Sequence, residues 1–330
     1  MIYIFLEIFL IIILTILFKR KLEQSIFLIF TSLILFILIS SLLPDGFNDD
    51  QYVFLDIINR GYELPLKAFF PGLFNPNFFY NSKIVIELVQ FSLGLANLYT
   101  IYLLFNYSGL HNLKMWIFLI LCSGYTIHVF SFLREPFLYF FITIFVFLLR
   151  KKKITLSMIF LFLIGLCRID SLIYILPFSF SVLMLHLNKK NIIIYLLTGY
   201  LITYYLLFFG PFKPYVQSYI LMFYEGNQSS IFENLFNLFT PTISFAKTLF
   251  QIQILSGLYY IYKIKKNNIK YFRILITILL FTIIFFLTIS NNFGWLLRIT
   301  SGYFLLIYLI HLDTGMKNLK KQILLYEYRT

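Results

Sequence analysis

Long apolar runs alternate along this chain with short polar ones, and the polar ones differ in sign. Apolar stretches cover about Ile2–Phe18, Ser25–Leu43, Lys83–Phe105, Met115–Leu149, Ile154–Leu187, Asn191–Phe209, a stretch leading to Lys263, Ile274–Ile289, and a last one ending at Leu312. Most have the length of one membrane-crossing helix, about 20 residues. Two do not. Met115–Leu149 has 35 residues and Ile154–Leu187 has 34, and each carries charge at its midpoint: Arg134-Glu135-Pro136 in the first, Arg168-Ile169-Asp170 in the second. Each therefore reads as a hairpin of two short helices. Seventeen residues rise about 26 Å against about 30 Å of hydrocarbon, so the tips are expected below the membrane surface. Pro136 suits the first turn of a helix that starts just after its tip.

The pattern predicts an all-α, polytopic membrane protein of about 11 transmembrane helices (10–12), with one membrane domain over residues 1–330. Residues 44–82 form an extracytoplasmic acidic loop. Inside it lies AFFPGLF, an apolar, Pro-Gly-broken segment too short to span and suited to the interface. Residues 210–243 form a second outer loop, and 313–330 a basic cytoplasmic tail lying on the membrane surface. The N-terminal run has no basic stretch ahead of it, so it reads as a helix rather than a signal peptide.

Composition agrees. Apolar residues make up 60% of the chain and charged ones 12%, and mean hydropathy is +0.86. Soluble domains sit near 45–50% and about 25%. The net charge of +13 would suggest nucleic acid in a soluble protein. Here its distribution points to a membrane instead. With the C-terminus inside, cytoplasmic segments collect 19 of the 27 Lys and Arg, and outer segments 8. Nine acidic residues fall outside, three inside, and two (Glu7, Glu87) within helices. This excess of inner cations orients the chain: N-terminus, acidic loop, both hairpin tips and the NNFGW turn outside. Cys122 and Cys167 lie in apolar runs and form no redox or metal motif.

The outward-facing ionisable set comprises Asp49, Asp50 and Asp56, then Arg134 and Glu135, Arg168 and Asp170, Lys213 and Glu225, and Arg298. Ionisable groups at membrane depth are costly unless paired or hydrated, and mark function by default. The alternative for each Arg–acid tip is a structural ion pair that ties it in place. Arg298 has no acidic neighbour in sequence and sits between apolar residues. A fixed cation there needs an anion, and guanidinium forks suit phosphate oxygens. Three arginines and a lysine facing a carboxylate-rich loop fit a diphosphate-bearing substrate with a base nearby. His111, His128 and His186 lack metal-ligand spacing; Trp116 and Trp295 read as interface anchors. Asn227-Gln228-Ser229 is a low-specificity glycosylation match. Walker, GxGxxG and HExxH motifs are absent from the sequence. No metal and no cofactor is predicted.

Asp49-Asp50-Gln51-Tyr52 with the following INRGYELPLKAFFPGLF resembles membrane glycosyltransferases of the GT-C type, particularly the GPI-mannosyltransferase-like branch. LREPFLYFF and IGLCRIDSLIYILPF resemble that superfamily's later helix starts. The LRE tip and the Gly294–Arg298 turn also resemble bacterial O-antigen and capsule polymerases of the Wzy type, including EpsG-like proteins. In this chain the acidic loop follows the second apolar run rather than the first. The resemblance implies a GT-C-like helical bundle working at the outer face of a bacterial plasma (inner) membrane. The donor is a glycan on a polyprenyl phosphate or diphosphate, and the nucleophile is a hydroxyl of an acceptor glycan. It further implies Asp50, or secondly Asp49, as general base, and Arg134, Arg168 and Arg298 as holders of the leaving phosphates. Tyr52 and AFFPGLF would contact sugar or lipid. Membrane lipid and a chain-length regulator protein are the other expected partners, and nucleic acid is not.

The favoured expectation is a repeat-unit polymerase for O-antigen or capsule polysaccharide. The alternatives are a GT-C enzyme that adds one sugar from a polyprenyl-phosphate donor, and a transporter or flippase for lipid-linked glycan.

Overall fold

The fold is known from a computed structural model, which describes residues 22–42, 83–105, 112–130, 135–186, 191–210, 213, 231–240, 244–289 and 292–327. Among the described residues the chain is all-helical, with no strand. The helices are α1 (Leu22–Leu42), α2 (Lys83–Phe105), α3 (Asn112–Leu121), α4 (Ser123–Val129), α5 (Glu135–Arg150), α6 (Ile154–Cys167), α7 (Leu172–His186), α8 (Ile192–Phe208), α9 (Ile231–Phe239), α10 (Phe245–Asn267), α11 (Ile269–Ile289) and α12 (Phe293–Glu327).

Both long apolar runs fold as paired short helices, broken at or beside their charged midpoints. The second breaks at Arg168, whose extended backbone (φ −156°, ψ 101°) ends α6 before a 3-10 turn over Ile169–Ser171. The first has a further break at Cys122 between α3 and α4, so its leading arm is two pieces rather than one. Two segments, Ile269–Leu287 and Phe293–Thr314, are long and apolar enough to cross a membrane by length and composition. Ser25–Ile39, Val89–Phe105, Ile154–Cys167, Ile169–Leu185 and Ile193–Phe208 are apolar but shorter. Large apolar side chains are exposed along α6 and α8, including Phe162, Ile193, Leu201 and Tyr205. Patches of that extent mark an interaction surface or a lipid-facing one.

The centre of the bundle is α12, buried nearly continuously from Leu296 to Thr314. Two helices run parallel to it. On α5, Glu135, Tyr139 and Arg150 meet Arg298, Ser301 and Asp313 in that order. On α10, Gln253 bonds Thr300, Gly257 lies against Phe304, and Tyr260 faces His311. An added Cβ at Gly257 would stand 2.3 Å from the Phe304 ring, so glycine is what permits this close approach. Gln253 is the buried crosslink: it accepts from the Gly124 N–H at 2.8 Å and donates to the Thr300 hydroxyl at 3.1 Å.

Two regions differ from the sequence expectation. Residues 210–243, expected as an outer loop, include α9, whose Asn234 donates to the Leu287 carbonyl at 2.8 Å. Its IFENLFNLF pattern is amphipathic at helical spacing, so packing against α11 favours a helix. The tail from Asp313 is no separate element: α12 continues unbroken through it to Glu327. Asp313 and Thr314 are buried, which keeps that turn inside the helix.

Candidate functional site

Three segments bring charge to one end of the bundle. The first turn of α5 presents Glu135, followed by Pro136, a good first-turn residue; a carboxylate is favoured there by the free N–H groups. The break between α6 and α7 presents Arg168 and Asp170, and the Ser171 hydroxyl fixes the break by donating to the Arg168 carbonyl at 2.5 Å. The second turn of α12 presents Arg298. That helix is started by Asn292, whose side-chain oxygen accepts from the Trp295 N–H at 3.1 Å.

These groups converge on Glu135. Arg168 donates through Nη1 to Glu135 Oε1 at 2.5 Å. Arg298 donates to the same carboxylate through Nε at 2.7 Å and Nη2 at 3.2 Å. Arg168 also donates through Nε to both oxygens of Asp170 at 3.0 Å. Glu135 is wholly buried and Arg168 1% exposed, whereas Asp170 and Arg298 keep 18% and 16% of their side-chain surface. The last two are therefore the members within reach of an incoming molecule. Two guanidinium groups and two carboxylates cancel formally, which is how such a cluster avoids the penalty of an uncompensated buried charge.

A second layer holds the cluster from below. The Tyr139 hydroxyl bonds the Ser301 hydroxyl at 2.5 Å, and Ser301 donates to the Arg298 carbonyl at 2.6 Å. His128, near the end of α4, is buried within electrostatic reach of Arg298, Glu135 and Arg168. Its Nδ1 lies 2.6 Å from the Gly124 carbonyl, which places the proton on that nitrogen. By spacing alone His128 is no metal ligand and gives no functional signal. The signal available was its position seven residues before Glu135, across the tip.

Of the residues expected at the site, Glu135, Arg168, Asp170 and Arg298 form one cluster. Lys213 is exposed just past α8 and joins none of these ion pairs. Asp49, Asp50, Tyr52 and Arg134 lie outside the described residues. Among the described residues no group of three His, Cys, Asp or Glu could hold a metal ion. The carboxylate between the two arginines fixes the planes of both guanidinium groups. Preset cations of this kind stabilise developing negative charge with little reorganisation. The Asp170 carboxylate accepts through both oxygens from Arg168 Nε, which fixes its position beside the cluster. The chain matches no family model, no curated protein and no solved structure.

Proposed function

We propose that this chain is a multi-pass membrane glycosyltransferase of about 11 spans, acting at the outer face on glycans carried by polyprenyl diphosphate. Its favoured reaction is the joining of repeat units into a polysaccharide. The observation that carries the reading is the convergence of Arg168 and Arg298 on Glu135, across 33 and 163 positions of sequence. A membrane protein keeps such groups where it handles charge.

Depth supports it. The Glu135–Arg298 and Arg150–Asp313 pairs lie fifteen residues apart along both helices, a rise of about 22 Å against about 30 Å of hydrocarbon. With the basic end placed at the inner surface, the cluster lies at a depth below the outer one. A lipid-linked diphosphate reaches that depth without leaving the bilayer.

In the proposed step an acceptor hydroxyl attacks the anomeric carbon of the donor. The new C–O bond forms as the bond to the diphosphate oxygen breaks, and the lipid diphosphate leaves with the electron pair. Arg298, with its exposed edge, and Arg168 behind it stabilise that leaving charge. The hydroxyl proton passes to a first-loop carboxylate, for which Asp50 is the candidate and Asp49 the second.

The test is a deletion strain of the source organism, with surface polysaccharide and lipid-linked glycan resolved by size. Loss of long chains, with single repeat units left on lipid, supports the polymerase. Loss of one sugar from every unit at normal chain length replaces it with a single-sugar transferase. Unaltered glycan of both kinds rejects the transferase reading; accumulation of complete units on the inner leaflet points to transport.

A further inference from the structure

The opposite end of the bundle carries cations of another kind. Residues 150–153 hold four Lys and Arg, residues 263–273 hold five, and neither segment contains an acidic residue. Because α5 and α10 both run parallel to α12, the two turns reach the same level, that of the Arg150–Asp313 pair. Lys151–Lys153, Lys265, Lys266, Lys270 and Arg273 are exposed there.

Four of the lysines are laid on rings. Lys263 Nζ lies 5.3 Å from the centre of the Tyr259 ring, Lys266 5.5 Å from Tyr262, Lys265 5.4 Å from Phe272, and Lys151 5.7 Å from Phe147. A ring face attracts an ammonium without neutralising it. On α10 the rings continue an exposed apolar stripe: Leu255, Tyr259, Tyr262 and then Lys266 follow at helical spacing on one face, the first three at 66%, 49% and 53% exposure. From bundle centre to rim this surface reads apolar, aromatic, cationic. A phospholipid presents acyl chain, ester region and phosphate in the same order. Nucleic acid or an acidic protein would meet the charge but leave the apolar stripe without a match.

We infer that the rim formed by residues 150–153 and 263–273 binds the headgroups of anionic phospholipids, whose acyl chains lie along the Leu255–Tyr262 stripe. This rests on the membrane-spanning part of the functional reading and is independent of the transferase chemistry. Each lysine near a lipid surface contributes on the scale of a several-fold change in affinity.

The experiment is native mass spectrometry of the full chain in detergent, titrated with equal amounts of phosphatidylglycerol and phosphatidylcholine. The variants are Lys263→Gln/Lys265→Gln/Lys266→Gln and the matching triple change to Arg. Wild type is expected to retain phosphatidylglycerol by about tenfold or more over phosphatidylcholine. The Gln variant should fall towards parity, and the Arg variant should keep the preference. An undiminished preference in the Gln variant overturns the proposal. So does displacement of the lipid by an equal concentration of inorganic phosphate, or by an RNA oligonucleotide in place of lipid. Recovery of the chain as a monomer without detergent would sink the membrane reading itself.

Discussion

At one end of α5 and α12, Glu135 meets Arg298; fifteen residues further along both, Arg150 meets Asp313. The helices are parallel, and the signs are exchanged between them. On α5 the acid stands at the N-terminus and the base at the C-terminus, as the helix dipole favours. On α12 the order is reversed: Arg298, in its second turn, meets Glu135, and Asp313, in mid-helix, meets Arg150. The surroundings differ as well. The Glu135 end is largely buried, shared by a second arginine, and neutral in sum. The Arg150 end opens onto a rim of exposed lysines. Charge in the interior is kept only when its partners are built in, whereas charge at the rim is left for something outside the protein to meet. Under the proposed function, that contrast separates the site proposed for chemistry from the rim proposed to meet lipid headgroups.

Removing the shared carboxylate breaks the contrast most severely. Glu135→Gln leaves two arginines without their common anion, and about 3–5 kcal/mol of stability is expected to go, the scale for stranding a buried charge. Thermal midpoints of purified protein in detergent read this directly; an unchanged midpoint would mean that the arginines are satisfied without Glu135. Between the two layers, Gly124→Ala should cost about 1–3 kcal/mol. Its added Cβ would lie 2.5 Å from Gln253 Oε1 and 2.6 Å from the Leu297 carbonyl oxygen, and the midpoint of this variant measures how far the polar crosslink sets the α4–α12 contact.

At the other end the expected effects shrink. Asp313→Asn should cost about 1–2 kcal/mol, between surface and buried pairs, because Arg150 is 22% exposed and can turn to solvent. A loss as large as that of Glu135→Gln would erase the distinction between the ends. Lys265→Gln with Lys266→Gln should leave the midpoint within about 0.5 kcal/mol of wild type, since both are exposed and their rings belong to the same surface.

Much of this was legible from residue order. Charges midway through 35- and 34-residue apolar runs could be accommodated only at a break, and among the described residues α4 ends before the first charged midpoint while α6 ends at the second. An arginine at 298 without a local acid had to find a distant one. Which acid it found was not legible: Glu135 lies 163 positions away, and packing of α5 on α12, not spacing, selects it. An ion pair at the second tip was expected as the structural alternative, and Arg168 with Asp170 makes it, yet Arg168 also serves Glu135. His128 was discounted on spacing, and its nearness comes from α4 ending just before the tip. The break at Cys122 and the passage of α12 through Asp313 were missed for one reason. Both depend on neighbours, the Gln253 crosslink at Gly124 and the Arg150 pair, that local pattern does not reveal.

The most direct test compares the two ends in function. A deletion strain is complemented at matched protein levels with wild type, Arg298→Lys or Asp313→Asn, and its lipid-linked and surface glycan is resolved by length. Arg298→Lys keeps the charge but loses the fork to Glu135. Its expected result is single repeat units on lipid with no ladder, while Asp313→Asn keeps the ladder. A normal ladder from Arg298→Lys, or its loss from Asp313→Asn alone, would contradict the assignment of the working site to the Glu135 cluster.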